Sequence, residues 1–229
     1  MSEKIFRRIE QKYILDEKQK NNLLKKILPH LEKDKFYKSE VNNIYFDTEH
    51  NDLIIKSIDK PRFKEKLRVR SYGTPGMNDK IFFEIKTKNK KIVGKRRIEI
   101  TLKEFYDFIE KGKYDKTNQI SKEIDYLIKY YNLKPAIYVG YNRESYKGKE
   151  EKELRITFDS NLRSRRDNLR LEKGSEGNLY FEEPHYIMEI KALGSYPLWL
   201  AKILSEEKLY RIGFSKYGNI YKKESDVKC

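Results

Sequence analysis

The sequence predicts an α+β fold, a single domain over residues 1–229 built from about eight mostly antiparallel strands with helices between them. Three observations predict it. Short runs alternate charged and apolar side chains with period two, the pattern of a strand with one buried face. Capping signals open amphipathic helices between those runs. No internal repeat, low-complexity linker or clean boundary divides the chain.

The elements follow in order. Residues 4–15 read as a strand, with Arg8, Glu10 and Lys12 on one face. Asp16 is a helix N-cap with Gln19 placed for a capping box, leading "EKQKNNLLKKILPHL". "NNIYFDTEHNDL" (42–53) is a short strand with a turn. "KEKLRVRSY" and "KIFFEIKTK" flank the turn cluster "GTPGMND", which predicts a hairpin over 64–88. "VGKRRIEI" (93–100) is a further strand. Thr101 and Glu104 form a capping box for "LKEFYDFIEKG", and Ser121 is placed to cap "KEIDYLIKYYN". Strands are expected over 135–146, 152–162, 178–183 and 185–192. Ser195 then caps a helix with Pro197 in its first turn, ending near Gly213.

Composition narrows the function. There are 51 Lys+Arg against 36 Asp+Glu, a formal net charge of +15. Such an excess points to an anionic partner, although a generally basic solvated surface is the plain alternative. Aromatic residues make up 13% of the chain, enough for a core and against disorder. The only cysteine, Cys229, allows no intramolecular disulfide. The N-terminus has no apolar signal region, and the most apolar later window, 196–204, is too short to span a bilayer. A cytoplasmic protein with no intrinsic membrane segment is expected.

The charged faces carry the functional argument. Lys66, Arg68, Arg70 and Tyr72 oppose Leu67 and Val69. Lys80, Phe82, Glu84, Lys86 and Lys88 oppose Ile81, Phe83 and Ile85. Lys95, Arg97 and Glu99 oppose Ile98 and Ile100; Arg155, Thr157 and Asp159 oppose Ile156 and Phe158; Glu189 and Lys191 oppose Met188 and Ile190. An ordinary antiparallel sheet keeps such a face in water. About eight antiparallel strands can also close on themselves. With helices outside, the charged faces would then line a tunnel. A lumen of Arg and Lys requires a multivalent anion, and a chain of phosphates offers oxygens to Arg forks and Lys point charges. Glutamates among those cations are accounted for by a divalent metal with hard oxygen ligands.

"RIEQKYIL", "IYFDTEHNDL", "KLRVRSYG", "IFFEIKTK", "YNRESY", "LRITFDSNL", "YIMEIKAL" and "FSKYGNIY" occur in that order over about residues 6–222. In this the chain resembles the triphosphate tunnel metalloenzymes (CYTH-like), above all the VTC-type polyphosphate polymerase domain. The resemblance implies a closed eight-stranded antiparallel tunnel with a charged lumen and helices packed outside. It implies ATP and inorganic polyphosphate as partners, Mn²⁺ or Mg²⁺ as cofactor, and transfer of the γ-phosphoryl group of ATP to a growing polyphosphate chain. The phosphate-binding cations it implies are Lys12, Arg68, Arg70, Lys86, Arg143, Arg155, Lys191 and Lys216, with Lys95 a weaker match. Lys12, Arg68, Arg70, Lys86 and Arg155 would carry the catalysis. Glu189 matches the metal-binding glutamate of the last strand, and Glu10 one member of an N-terminal glutamate pair whose other position is Arg8.

The same tunnel would serve a triphosphatase acting on tripolyphosphate, a nucleoside triphosphate or thiamine triphosphate. A non-catalytic polyanion-binding module is a third reading, disfavoured by Glu10 and Glu189. No aromatic motif of the usual RNA-binding modules occurs, so nucleic acid is not expected. His30, His50 and His185 have no metal-ligand spacing, "RSRRDNLR" (163–170) reads as a basic loop, and Trp199 reads as core. Product length, oligomeric state and any membrane partner are left open.

Overall fold

The computed structural model describes residues 8–59, 61–90 and 92–226. Cys229, the first part of the strand expected over 4–15, and the side chain of Arg8 lie outside that description. The strands are β1 (Arg8–Asp16), β2 (Leu31–Asp47), β3 (Phe63–Tyr72), β4 (Lys80–Asn89), β5 (Ile92–Thr101), β6 (Lys134–Gly148), β7 (Arg155–Arg165), β8 (Asn178–Leu179) and β9 (His185–Leu193). The helices are α1 (Glu17–Ile27), α2 (Asp52–Ile58), α3 (Leu102–Lys111), α4 (Gln119–Tyr131), α5 (Leu198–Glu206) and α6 (Lys216–Asp226). Eight strands form an antiparallel sheet in the order β1-β9-β7-β6-β2-β3-β4-β5, with two-residue β8 on β7. This is an α+β fold. The order ends at β1 and β5, and closure into a tunnel is not among the described pairings.

The chain divides into two compact units. The first takes the N-terminal segment through Ser39 with Tyr141–Leu162 and Phe181–Phe214. Its core holds Tyr13, Leu15, Leu23, Ile27, Ile156, Phe158, Met188, Ile190 and Leu200. The second takes Glu40–Gly140, Arg163–Tyr180 and the segment from Ser215. Its core holds Leu67, Val69, Ile81, Phe83, Ile85, Ile98, Phe105 and Phe108. In each unit the residues assigned by alternation to the apolar strand faces are the ones that enter the core. The face on the other side of those strands is therefore the charged one.

Both predicted capping boxes form. Asp16 Oδ1 accepts from Gln19 N at 2.7 Å and Gln19 Oε1 accepts from Asp16 N at 3.0 Å. Thr101 Oγ1 accepts from Glu104 N at 3.1 Å, and Glu104 Oε2 accepts from Thr101 N at 2.7 Å. The hairpin of β3 and β4 forms in the register Arg68↔Glu84.

Other expectations are corrected. Helix α1 ends at Ile27, because Pro29 cannot continue the backbone ladder; a 3₁₀ turn follows and β2 begins at Leu31. The first half of β2 is largely exposed and lacks alternating apolar residues, so only its buried end was readable. Helix α2 was not expected: its N-terminus is held by Asp47, whose carboxylate accepts from Leu53 N at 2.8 Å and Ile54 N at 3.0 Å. Asn118, not Ser121, caps α4, its Oδ1 accepting from Ile120 N at 2.9 Å and Ser121 N at 3.2 Å. Pro197 occupies the N-cap position of α5 without a side-chain cap, and the helix stops at Glu206, well before Gly213. Only Asn178–Leu179 of the strand expected over 178–183 pairs. The basic segment at 163–170 is not all loop, since β7 runs through Arg165 and Arg163 is buried.

These contacts rank two substitutions. Phe83 is fully buried against Phe46, Phe105 and Phe108, with ring centroids at 5.5, 5.2 and 5.6 Å. Phe83→Ala should cost about 3–5 kcal/mol. Thr101→Ala, which removes a cap, should cost about 1 kcal/mol. Urea unfolding checks the ranking, and equal losses would contradict it.

Candidate functional site

In the second unit, the ladder of β2, β3, β4 and β5 sorts the charged face into rows. Tyr45 stands opposite Arg68, Arg68 opposite Glu84, and Glu84 opposite Arg97. The next row sets Lys66 opposite Lys86 and Lys86 opposite Lys95. On the other side Asn43 faces Arg70, and Arg70 faces Phe82. Three lysines thus stand side by side on adjacent strands, a concentration of positive charge that attracts anions.

Glu84 anchors this face. It is 1% exposed. Arg68 grips its Oε2 through Nε at 2.8 Å and Nη2 at 2.7 Å, and Lys95 Nζ lies 3.1 Å from Oε1. Burial pushes the Glu84 carboxyl up, but Arg68, Arg70 and Lys95 outweigh it and hold the group down at about 2. Arg70 is 8% exposed and donates from Nε to Asn43 Oδ1 at 2.8 Å, while Asn43 Nδ2 donates to the Val139 carbonyl at 2.9 Å. Lys66 Nζ donates to Ser215 Oγ at 3.0 Å, which places it beside Lys216, the first residue of α6. Lys216 is thus carried by a helix, not by a strand of the sheet.

In the first unit, β9 lies between β1 and β7. Lys12 pairs across from Glu189 and Glu189 from Thr157; Glu10 pairs across from Lys191 and Lys191 from Arg155. Lys191 Nζ is 3.0 Å from Glu189 Oε1 and 4.0 Å from Glu10 Oε2, so one ammonium stands between the two carboxylates. Lys12 Nζ donates to the Phe214 carbonyl at 2.9 Å and lies 3.8 Å from Glu10 Oε1. Arg143 makes a forked pair with Asp159, Nε to Oδ1 at 2.6 Å and Nη2 to Oδ2 at 2.8 Å, and its Nη2 is 3.9 Å from Glu189 Oε2. Arg155 reaches Asp34 at 2.7 Å and Ser145 Oγ at 3.1 Å. Glu189 is 7% exposed. Burial disfavours its charge, yet Lys191, Lys12 and Arg143 hold its carboxyl well below the ordinary range.

The sequence-predicted residues thus fall into two sets. Lys12, Glu10, Arg143, Arg155, Glu189 and Lys191 gather in the first unit, and Arg68, Arg70, Lys86, Lys95 and Lys216 belong to the second. Their carboxylate partners Glu84, Asp159 and Asp34 were not among the expected site residues, and neither was Tyr45.

Glu10 and Glu189 are carboxylates of the β1 and β9 charged face, and carboxylate oxygen is the kind of donor a hard divalent cation takes. Among the described residues no three His, Cys, Asp or Glu converge. Glu10 and Glu189 share Lys191 as their common cation, so both present oxygens toward one region. Mg²⁺ is commonly held by one or two carboxylates, with substrate phosphates and water completing its shell.

Tyr45 supplies a spectroscopic handle. Its hydroxyl accepts from Arg68 Nη1 at 3.1 Å. Burial pushes this phenol up, but the fields of Arg68, Arg70 and Lys66 overcome burial and bring it down to about 7. A lowered acid contributes stability as pH rises from its folded value toward its unfolded value near 10. One tyrosine should therefore titrate near pH 7 by phenolate absorbance, and Tyr45→Phe should remove that phase. A wild-type titration with no tyrosine ionising below about pH 9 would contradict this field.

Comparison with known proteins places the chain. A candidate adenylate cyclase from Bacillus halodurans is similar in structure at 14% identity and a TM-score of 0.56, covering 90% of this chain and 92% of that one. A candidate adenylyl cyclase from Hippeastrum, in which a triphosphatase activity is dominant, is similar at 17% identity and a TM-score of 0.53, covering 92% and 93%. These likenesses show a shared fold. The VTC domain matches over residues 7–224. The chain belongs to the VTC domain family.

Proposed function

We propose that the chain is a metal-dependent polyphosphate polymerase that transfers the γ-phosphoryl group of ATP to a growing polyphosphate chain. The observation that carries this reading is the cation-rich charged face, above all the Lys66, Lys86 and Lys95 row beside Arg68 and Arg70. Membership of the VTC domain family supports it. Closure of the sheet into a tunnel, which the family resemblance implies, is proposed with it.

Phosphoryl transfer asks chiefly for positioning and for charge placed where charge builds. Arg68, Arg70 and Arg155 present planar forks to phosphate oxygens, and Lys12, Lys86, Lys95, Lys191 and Lys216 present point charges. Arg143 is held by Asp159 and Arg68 by Glu84, so both would act on phosphate from fixed positions. Glu189 and Glu10 would hold Mn²⁺ or Mg²⁺, which would supply stabilisation of the charge that builds during phosphoryl transfer. The terminal oxygen of polyphosphate is already ionised, so a polymerase needs little general base. Water as acceptor would need one.

The second reading is a triphosphatase, favoured by the activity of the Hippeastrum protein of similar fold. Incubation of purified protein with ATP and Mn²⁺, resolving polyphosphate from free phosphate, separates the two. Lengthening polyphosphate with release of ADP is expected, and free phosphate alone would establish the hydrolase.

Glu189 gives a sharper test. Glu189→Gln should abolish Mn²⁺-dependent turnover while leaving metal-free tripolyphosphate binding equal or tighter, since one repulsive charge is removed. Retained turnover within a few-fold would reduce Glu189 to an ion-pair partner of Lys191 and Arg143. Arg155→Ala should weaken tripolyphosphate binding by about 1.5–3 kcal/mol, the range for a hydrogen bond to a charged group, read by titration calorimetry; unchanged affinity would remove Arg155 from the site.

A further inference from the structure

Thr157 is the one residue of the Lys12, Glu189 and Thr157 row that neither charge nor motif singles out. It lies on β7 between Ile156 and Phe158, both in the first unit's apolar core. Alternation therefore turns its side chain to the charged face, with Arg155 and Asp159. There it stands directly across from Glu189. It is 5% exposed, and its Oγ1 has no hydrogen-bond partner.

A buried hydroxyl without a partner costs free energy that an aliphatic group of the same shape does not. Valine would fill the same volume. Neither Glu189, paired with Lys191 at 3.0 Å, nor Asp159, held in a fork by Arg143, accepts from it. Lys12, beyond Glu189 in the same row, and Lys191, two residues along β9, have donors only and cannot accept from it. What suits this hydroxyl is an acceptor that the same cations also attract.

We propose that Thr157 is a further contact of the bound anion, its Oγ1 donating a hydrogen bond to a phosphoryl oxygen held beside Lys12 and Lys191. The inference rests on the reading of the charged face as a site for triphosphate-class anions, and it adds a neutral donor where Glu189 lies close. A hydroxyl can stand against that carboxylate and still donate to phosphate.

The test is titration calorimetry of tripolyphosphate in the presence of a metal chelator, on wild type, Thr157→Val and Thr157→Ser, with thermal unfolding of each. Thr157→Val should bind about tenfold more weakly or worse, as expected for loss of a hydrogen bond to a charged group. It should also unfold at an equal or higher temperature, because the orphaned hydroxyl is gone. Thr157→Ser should bind within a few-fold of wild type. Wild-type affinity in Thr157→Val overturns the proposal while leaving the triphosphate reading intact. So does a loss that appears only with Mn²⁺, or one that the serine variant shares. Failure of the wild type to bind tripolyphosphate overturns the triphosphate reading, and this inference with it.

Discussion

The structure depends on keeping charges ionised at positions from which water is largely removed. Glu84 shows how this is done: a buried carboxylate stays charged because Arg68 holds it from one adjacent strand and Lys95 from the other. Glu189 is held in the same manner by Lys191 on its own strand, Lys12 across the ladder and Arg143. Removing one partner of such a buried pair leaves an uncompensated charge, which is far costlier than never having buried the pair. The apolar faces behind these strands carry the cohesion, and the paired charges fix which groups stand where on the face in front.

That division of labour explains why a phosphate chain suits the protein. Cations that already serve a carboxylate are positioned before a ligand arrives, so little rotamer freedom is left to lose on binding. The second unit has more cations than carboxylates along its central rows, and phosphate oxygens would balance the surplus. The first unit is closer to balance, with Glu10, Glu189, Asp159 and Asp34 against Lys12, Lys191, Arg143 and Arg155. Its carboxylates are therefore largely offset by their own cation partners.

Much of this was legible in the sequence wherever period two was undisturbed. "KLRVRSY" and "KIFFEIK" assign Arg68, Arg70 and Lys86 to one face by alternation alone, and both capping boxes are local patterns. Legibility failed where the signal was not local. Residues 41–47 are all buried, so no alternation marks Tyr45 or Asn43 as members of the charged face. Glu84 was placed on its face, but its two cationic partners come from other strands, and strand register is not readable from one chain. The pairing of Arg143 with Asp159 is hidden for the same reason. Helix α2 escaped notice because its start is stabilised by Asp47, several residues upstream, and α6 because "KYGNIYKKESD" has few apolar residues. The family resemblance reached Lys216 where pattern reasoning had no element at all.

The central claim is that the charged faces carrying Lys86 and Arg155 exist to hold phosphate chains. A crystal structure of the protein grown with tripolyphosphate and a metal chelator tests it most directly. The account predicts phosphoryl oxygens within hydrogen-bond distance of Arg68, Arg70 and Lys86 or of Lys12 and Arg155. Tripolyphosphate bound only at the exposed basic residues around Arg166 and Arg170, with the charged strand faces left unchanged, would contradict it.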